Sequence, residues 1–200
     1  MYTPPHNRQD DPDAVHAFIQ AFNFATLVTC GEGGMNATHL PLNVRRDGDR
    51  TVLSGHLAKA NPQWRQLAAG AEALALFAEP HGYVSPAHYE PGRWVPTWNY
   101  VAVHAYGAPR LIEDRAAVLA ILGETIAATE PGYQAVLDSY PAAFVDAKLQ
   151  GIVAFEVEVT RIEARWKLSQ DRTAAERERI TLAMRLSHDP SAQRLAAFMG

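Results

Sequence analysis

The sequence predicts a mostly β protein, an antiparallel sheet or small barrel with amphipathic helices around it. Three observations carry this. Short apolar runs rich in β-branched and aromatic residues recur from Phe24 onward. Gly-rich or Asp-Gly turns join several of them as hairpins. Strand and helix do not alternate throughout, as a doubly wound parallel fold requires.

The elements follow in order. Asp11-Pro12-Asp13 opens a helix, and Val15, Phe18, Ile19 and Phe22 sit at helical spacing, predicting a helix from Pro12 to Phe22. Phe24 to Cys30 reads as a buried strand, Gly31-Glu32-Gly33-Gly34 as a turn, and Met35 to Val44 as one second strand. Arg45 to Asp49 is a hairpin turn around Asp47-Gly48, and Thr51 to His56 is a third strand. Asn61-Pro62 opens a helix to Ala69, with Asn as cap and Pro in the first helical position.

Ala73 to Ala78 is an apolar strand, and Gly82 to Pro96 reads as irregular. Thr97 to Pro109 is a long strand, with Trp98, Tyr100, His104 and Tyr106 on one face and Val101, Val103 and Ala105 on the other. Asp114 to Thr129 and Tyr133 to Lys148 read as two helices. Gly151 to Thr160 alternates Val153, Phe155, Val157 and Val159 with Ala154, Glu156, Glu158 and Thr160, predicting one buried and one wet side. Thr173 to Ser187 is helical, Asp189-Pro190 breaks it, and a short helix follows.

Composition narrows the function classes. The chain has 200 residues, 48% hydrophobic and 20% charged, which suits one globular domain and excludes intrinsic disorder. Its single cysteine, Cys30, excludes an internal disulfide framework and reads as a small buried hydrophobe. Net charge is −4, so nucleic-acid binding would need a local patch. No apolar run approaches a membrane span, and the polar Met1-Tyr2-Thr3-Pro4-Pro5-His6 opening is not a signal peptide. A cytoplasmic protein is expected.

Common catalytic motifs are missing. There is no G-x-S-x-G, G-x-G-x-x-G, Walker loop or HExxH. The histidines lack metal-ligand spacing, so no metal site and no catalytic residue is assigned. The arginines Arg172, Arg177, Arg179, Arg185 and Arg194 are nearly balanced by Asp171, Glu176, Glu178 and Asp189, and this stretch reads as a salt-laced helix surface.

Three segments carry candidate chemistry. Gly55-His56-Leu57-Ala58-Lys59-Ala60-Asn61-Pro62 ends a strand and opens a helix. A full charge from Lys59, an amide from Asn61 and a donor from His56 there suit a phosphate, though a plain capped helix gives the same pattern. Val95-Pro96-Thr97-Trp98-Asn99-Tyr100 offers a flat apolar face beside an amide, suited to a planar heterocycle or to core packing. Arg165 to Arg172 concentrates basic, aromatic and amide residues at a strand-to-helix junction, which could close over an anion or be a solvated turn.

Five motifs in order make a specific signal. They are Ala37-Thr38-His39-Leu40-Pro41-Leu42, Gly55 to Trp64, Val95 to Tyr100, Val103-His104-Ala105-Tyr106-Gly107 and Lys167-Leu168-Ser169-Gln170. With them the sequence resembles the PaiB family of FMN-binding negative transcriptional regulators, from Met1 through Arg172. One position departs: Asp171 stands where the family carries Asn.

The resemblance implies an antiparallel split β-barrel of the pyridoxamine-phosphate-oxidase-like type, FMN as cofactor, and a homodimer with flavin at the subunit interface. It implies repression of sporulation and protease genes; DNA contact is left open. The division expected is a split-barrel domain over residues 1–172 and a C-terminal helical extension over 173–200 packed on it.

Carried over by position, His56, Lys59 and Asn61 would hold the FMN phosphate. Thr38, His39, Leu40 and Pro41 would line the flavin edge through backbone groups. Trp98 and Asn99 would meet the ring, and Lys167 and Gln170, from the same or the other subunit, would close the site. Alternatives are a flavin-dependent oxidoreductase working through bound FMN, whose chemistry the cofactor would carry, and a haem-binding split barrel.

Overall fold

The computed structural model describes residues 1–200. The chain forms two compact units. The first comprises Met1–Ala17, Phe77–His104 and Glu163–Gly200, and the second Phe18–Leu76 and Ala105–Ile162.

The second unit holds most of the sheet. Its strands are β1 (Phe24–Gly31), β2 (Gly34–Pro41), β3 (Asn43–Asp47), β4 (Arg50–Ala58) and β5 (Ala73–Phe77, by its first four residues), with residues 105–112 of β7 (Thr97–Ile112) and 152–162 of β8 (Ile152–Lys167). The strand order is β2-β1-β5-β7-β8-β4-β3. β1 pairs antiparallel with β2 and β5, β3 with β4, and β4 with β8. Gly33 and Gly34 take positive φ in the β1–β2 turn, as does Gly48 in the β3–β4 turn, a conformation that costs glycine little.

The predicted single strand from Met35 to Val44 is two strands, broken at Leu42. The chain changes partner there: β2 follows β1 as far as Pro41 opposite Phe24, and from Asn43 opposite Ser54 it follows β4, while Leu42 is fully buried.

The predicted wet side of the strand after Gly151 holds at Glu158 and Thr160, which are exposed, and is corrected before them. Ala154 and Glu156 are buried. Ala154 packs with Ile112 of β7 and with Val118 and Ile121 of α3 (Arg115–Thr129), so a helix covers that face. Glu156 is neutralised by Arg45 at 2.6 Å and by Arg110. Burial without these partners would be costly for a carboxylate.

Asp114 caps α3 through Ala117 N. The predicted helix from Tyr133 to Lys148 is two, α4 (Tyr133–Ser139) and α5 (Ala142–Leu149), because Pro141 cannot continue the helix. Cys30 is exposed rather than buried. Ala25, Leu27 and Thr29 occupy the buried face of β1, so alternation puts Cys30 on the open face.

The first unit is built on the start of β7, the end of β8 and a short strand, β6 (His81–Val84), lying in the stretch expected to be irregular. β6 pairs antiparallel with β7, from His81 opposite Tyr100 to Val84 opposite Thr97. Two helices pack on it, α6 (Ala174–Arg185) and α7 (Pro190–Ala196). A Cβ on Gly82 would lie 3.2–3.4 Å from Met184, Ala192 and Leu195, so the helices sit directly on this strand. Thr173 and Glu176 form a reciprocal capping box at the start of α6. Glu176 also accepts from Glu90 N, and these backbone donors hold its pKa below the usual carboxylate value. The arginines here pair outside their helix, Arg179 with Glu90 and Arg194 with Glu79.

Helix α1 (Pro12–Ala21) begins where expected and buries Val15, Phe18 and Ile19. No helix is long and apolar enough to cross a membrane.

Candidate functional site

In the second unit, the β4-to-helix loop is fixed by its backbone and by a relay of amides. Lys59 N donates to Gly151 O at 2.8 Å, and Asn61 N to Ala58 O at 2.9 Å. Asn61 Oδ1 accepts from Gln63 N at 3.0 Å, while Asn61 Nδ2 donates to Thr38 Oγ1 at 2.8 Å. The Thr38 hydroxyl donates to Gln63 Oε1 at 2.5 Å. Gln63 Nε2 then donates to Leu27 O at 3.0 Å and Thr29 Oγ1 at 3.1 Å.

Gln63 is therefore the hub that locks this loop to the β1–β2 hairpin. Gln66 extends the lock, accepting from Thr29 Oγ1 at 2.6 Å and donating to Glu32 O and Gly34 O across the turn. Both glutamines are buried, and reading the motif gave neither a role. Their spacing of three puts them on one helix face, and that is the signal that could have found them.

The helix itself, α2 (Gln63–Ala68), is shorter than expected and begins after Pro62, not at it. Asn61's polar atoms are spent inside the relay, so its part is to position the loop. The chemistry left open belongs to Lys59 and His56. Lys59 has no carboxylate within ion-pair distance; its ammonium lies 5.2 Å from the Trp64 ring centroid, and Trp64 Nε1 donates to Lys59 O. His56, opposite Ala154 in the β4–β8 ladder, is half-buried. Burial pushes its pKa below the ordinary value, which keeps the imidazole neutral at pH 7.

Lys59 and Trp64 stand on a cavity of about 620 Å³. Leu111, Ile112, Val118 and Leu149 line its apolar part, with the Arg115–Asp146 pair at 2.7 Å also on its wall. This volume lies within the range of small-molecule and cofactor sites. Glu113 and Gln150 also line the cavity, so the Lys59 ammonium, held in no ion pair, stands over a wall that is part apolar and part polar.

Thr38, His39, Leu40 and Pro41 lie on β2, which ends the strand order and pairs only with β1. Its outward backbone groups have no partner strand. Thr38 is engaged in the relay. His39 Nδ1 lies 2.9 Å from Thr26 Oγ1, and Leu40 is buried.

The other four candidates lie in the first unit. Trp98 is 52% exposed and stacks edge-on with Tyr83 at 5.8 Å, with His81 at 6.0 Å. Asn99 is fully buried, and its Nδ2 donates to Ser169 Oγ at 2.9 Å. It clamps a backbone turn in which Ser169 has φ of 58°. Gln170 folds back on its own turn, accepting from Leu168 N at 2.8 Å and donating to Trp166 O. Lys167 Nζ donates to Thr97 Oγ1. Burial, and then the nearby Arg165, lower the Lys167 pKa against a smaller opposing pull from Asp171.

The structure thus brings Thr38 and Asn61 together in one relay with Lys59 on the same loop. Separately, it places Thr97 against Lys167 and Asn99 against Ser169.

Known proteins match this chain along its length. A family model described as "Putative FMN-binding domain" covers residues 1–161. Protease synthase and sporulation protein PAI 2 of Bacillus subtilis is 33% identical over 201 residues, spanning 100% of this chain and 96% of the relative. An uncharacterised protein of Saccharomyces cerevisiae is 37% identical over 86 residues, 40% of this chain and 51% of its own length.

Among solved structures, a FAD- and haem-binding protein from Mycobacterium smegmatis matches with TM-score 0.61 at 19% identity, over 86% of this chain and 78% of that one. The flavocytochrome Anf3 from Azotobacter vinelandii matches with TM-score 0.59 at 18% identity, over 79% and 68%. These likenesses show the fold, an antiparallel sheet with flanking helices of the split-barrel type found in flavin and haem proteins. With the family model and the bacterial relative together spanning the whole sequence, the chain belongs to the PaiB family of FMN-binding-domain proteins.

Proposed function

We propose that this chain is a flavoprotein that binds FMN, with the phosphate held by Lys59 and His56 on the loop that Asn61 and Thr38 position. The single observation that carries the reading is Lys59, a cation held in no ion pair, on a fastened loop beside a cavity of cofactor size. The neutral His56 ring can donate one hydrogen bond to a phosphate oxygen without adding charge. The outer edge of β2, from Thr38 to Pro41, supplies backbone contacts. In the first unit the Trp98 ring is exposed, and Asn99 and Gln170 shape the turn that follows Lys167. When bound, FMN supplies one- or two-electron redox chemistry. The protein's own residues fix and shield it.

In the cell, the reading is a PaiB-type negative regulator, after the relative named for protease synthesis and sporulation. Net charge of −4 favours regulation through the flavin or a protein partner over direct reading of DNA. The chain works as a cytoplasmic homodimer, with residues 1–172 as the cofactor-binding part and 173–200 as a helical extension. The packing of α6 and α7 on Gly82 supports the role of that extension.

The test is the spectrum and ligand mass of the purified protein, followed by anaerobic mixing with NADH or NADPH. Bound FMN that is not bleached supports a regulator. Rapid bleaching supports an oxidoreductase on the same site.

A further inference from the structure

The first unit holds two cations that stand in no ion pair, Arg165 and Lys167. They stand two residues apart on β8, so strand alternation turns them to one side. Arg165 Nη1 donates to Tyr2 O at 2.9 Å, and its guanidinium lies 5.2 Å from the Tyr100 ring centroid. Its Nε is buried with no hydrogen-bond partner. Lys167 donates only to the Thr97 hydroxyl. Of the neighbouring acids, Glu163 pairs with the chain's amino terminus, and Asp171, 3.6 Å from Arg172, pulls on Lys167 less strongly than burial and Arg165 oppose its charge.

Two like charges on one half-buried side repel each other and lose hydration. An anion between them relieves both costs. The Thr97 hydroxyl accepts from Lys167, which leaves its proton free to donate to such an anion. We propose that Arg165 and Lys167, with the Thr97 hydroxyl and the Tyr100 ring, form a subsite for the carboxylate or phosphate of a small ligand. FMN has one phosphate, already matched to Lys59, so this subsite serves a second molecule. It rests on the flavin reading only for that last step.

The experiment titrates benzoate and inorganic phosphate, by calorimetry, into the as-purified chain and into Arg165→Gln and Lys167→Gln. FMN content and the thermal melt of each preparation are measured alongside. The expected result is binding of at least one probe to the wild type, weakened tenfold or more in each variant, with FMN content of Arg165→Gln unchanged. Preference for benzoate identifies a carboxylate ligand, and preference for phosphate a phosphorylated one. Absence of binding to the wild type overturns the proposal, as does affinity within twofold of wild type in both variants. Should Arg165→Gln melt early, Lys167→Gln alone decides. A chain that lacks FMN yet binds the anion through these residues would remove the flavin reading and leave the subsite standing.

Discussion

Asn61 donates its side-chain N–H to the Thr38 hydroxyl at 2.8 Å while its side-chain oxygen accepts from Gln63 N. One amide thus fastens the Lys59 loop to β2 and caps the turn before α2. Asn61→Ala removes both bonds and should cost about 1–2 kcal/mol in urea denaturation. Asn61→Asp keeps the cap, loses the donor, and should cost less. An Asn61→Asp variant as stable as wild type would mean the Thr38 bond contributes nothing, and equal losses in the two variants would mean the cap on Gln63 N contributes nothing.

Gly107 of β7 lies directly against the backbone of Glu158 on β8. A Cβ there would fall 2.2 Å from Glu158 O, a backbone atom that cannot swing aside. Gly107→Ala should therefore lower stability by about 3 kcal/mol or more, or abolish soluble expression. A melting temperature matching wild type would contradict this close approach.

Asn99 and Ser169 form a buried pair that holds a residue at φ of 58°. Asn99→Ala leaves the Ser169 hydroxyl without its partner and should cost about 2 kcal/mol by chemical denaturation. Because the same turn carries Lys167, any anion affinity of that residue should fall with it.

His56 gives a pH signature. Burial lowers its folded pKa below the ordinary 6.5, so the unfolded chain binds a proton that the folded chain refuses. This contribution is complete above the unfolded value and is lost as pH falls from there through the lower folded value. Replacing His56 with Gln should flatten the decline of the urea midpoint between about pH 7.5 and about pH 5.5. An unchanged slope would mean that His56 titrates alike in both states.

Much of the fold was legible because its signals are local. The alternation around Val101, Val103 and Ala105, and the Asp-Gly turn at Gly48, each state their structure within a few residues. What the sequence hid depends on distant partners. Glu156 reads as wet until Arg45 and Arg110 are seen beside it. The break at Leu42 needs β4, the new partner from Asn43 onward, and β6 is too short to show a period. The candidate site divides the same way. Lys59 and His56 were visible as chemistry at a strand end. The Gln63 and Gln66 relay was not, because buried glutamines look like surface ones until the β1–β2 hairpin closes over them.

The central claim is that Lys59 anchors FMN. The direct measurement is the FMN content of the wild type and of Lys59→Gln after saturation with FMN and desalting, with melting curves as a folding control. We expect one FMN per wild-type chain and a drop in affinity of about tenfold or more in the variant, the scale of one charge-assisted contact. A folded Lys59→Gln protein that keeps FMN as tightly as wild type, or a wild type that takes up none, would contradict it.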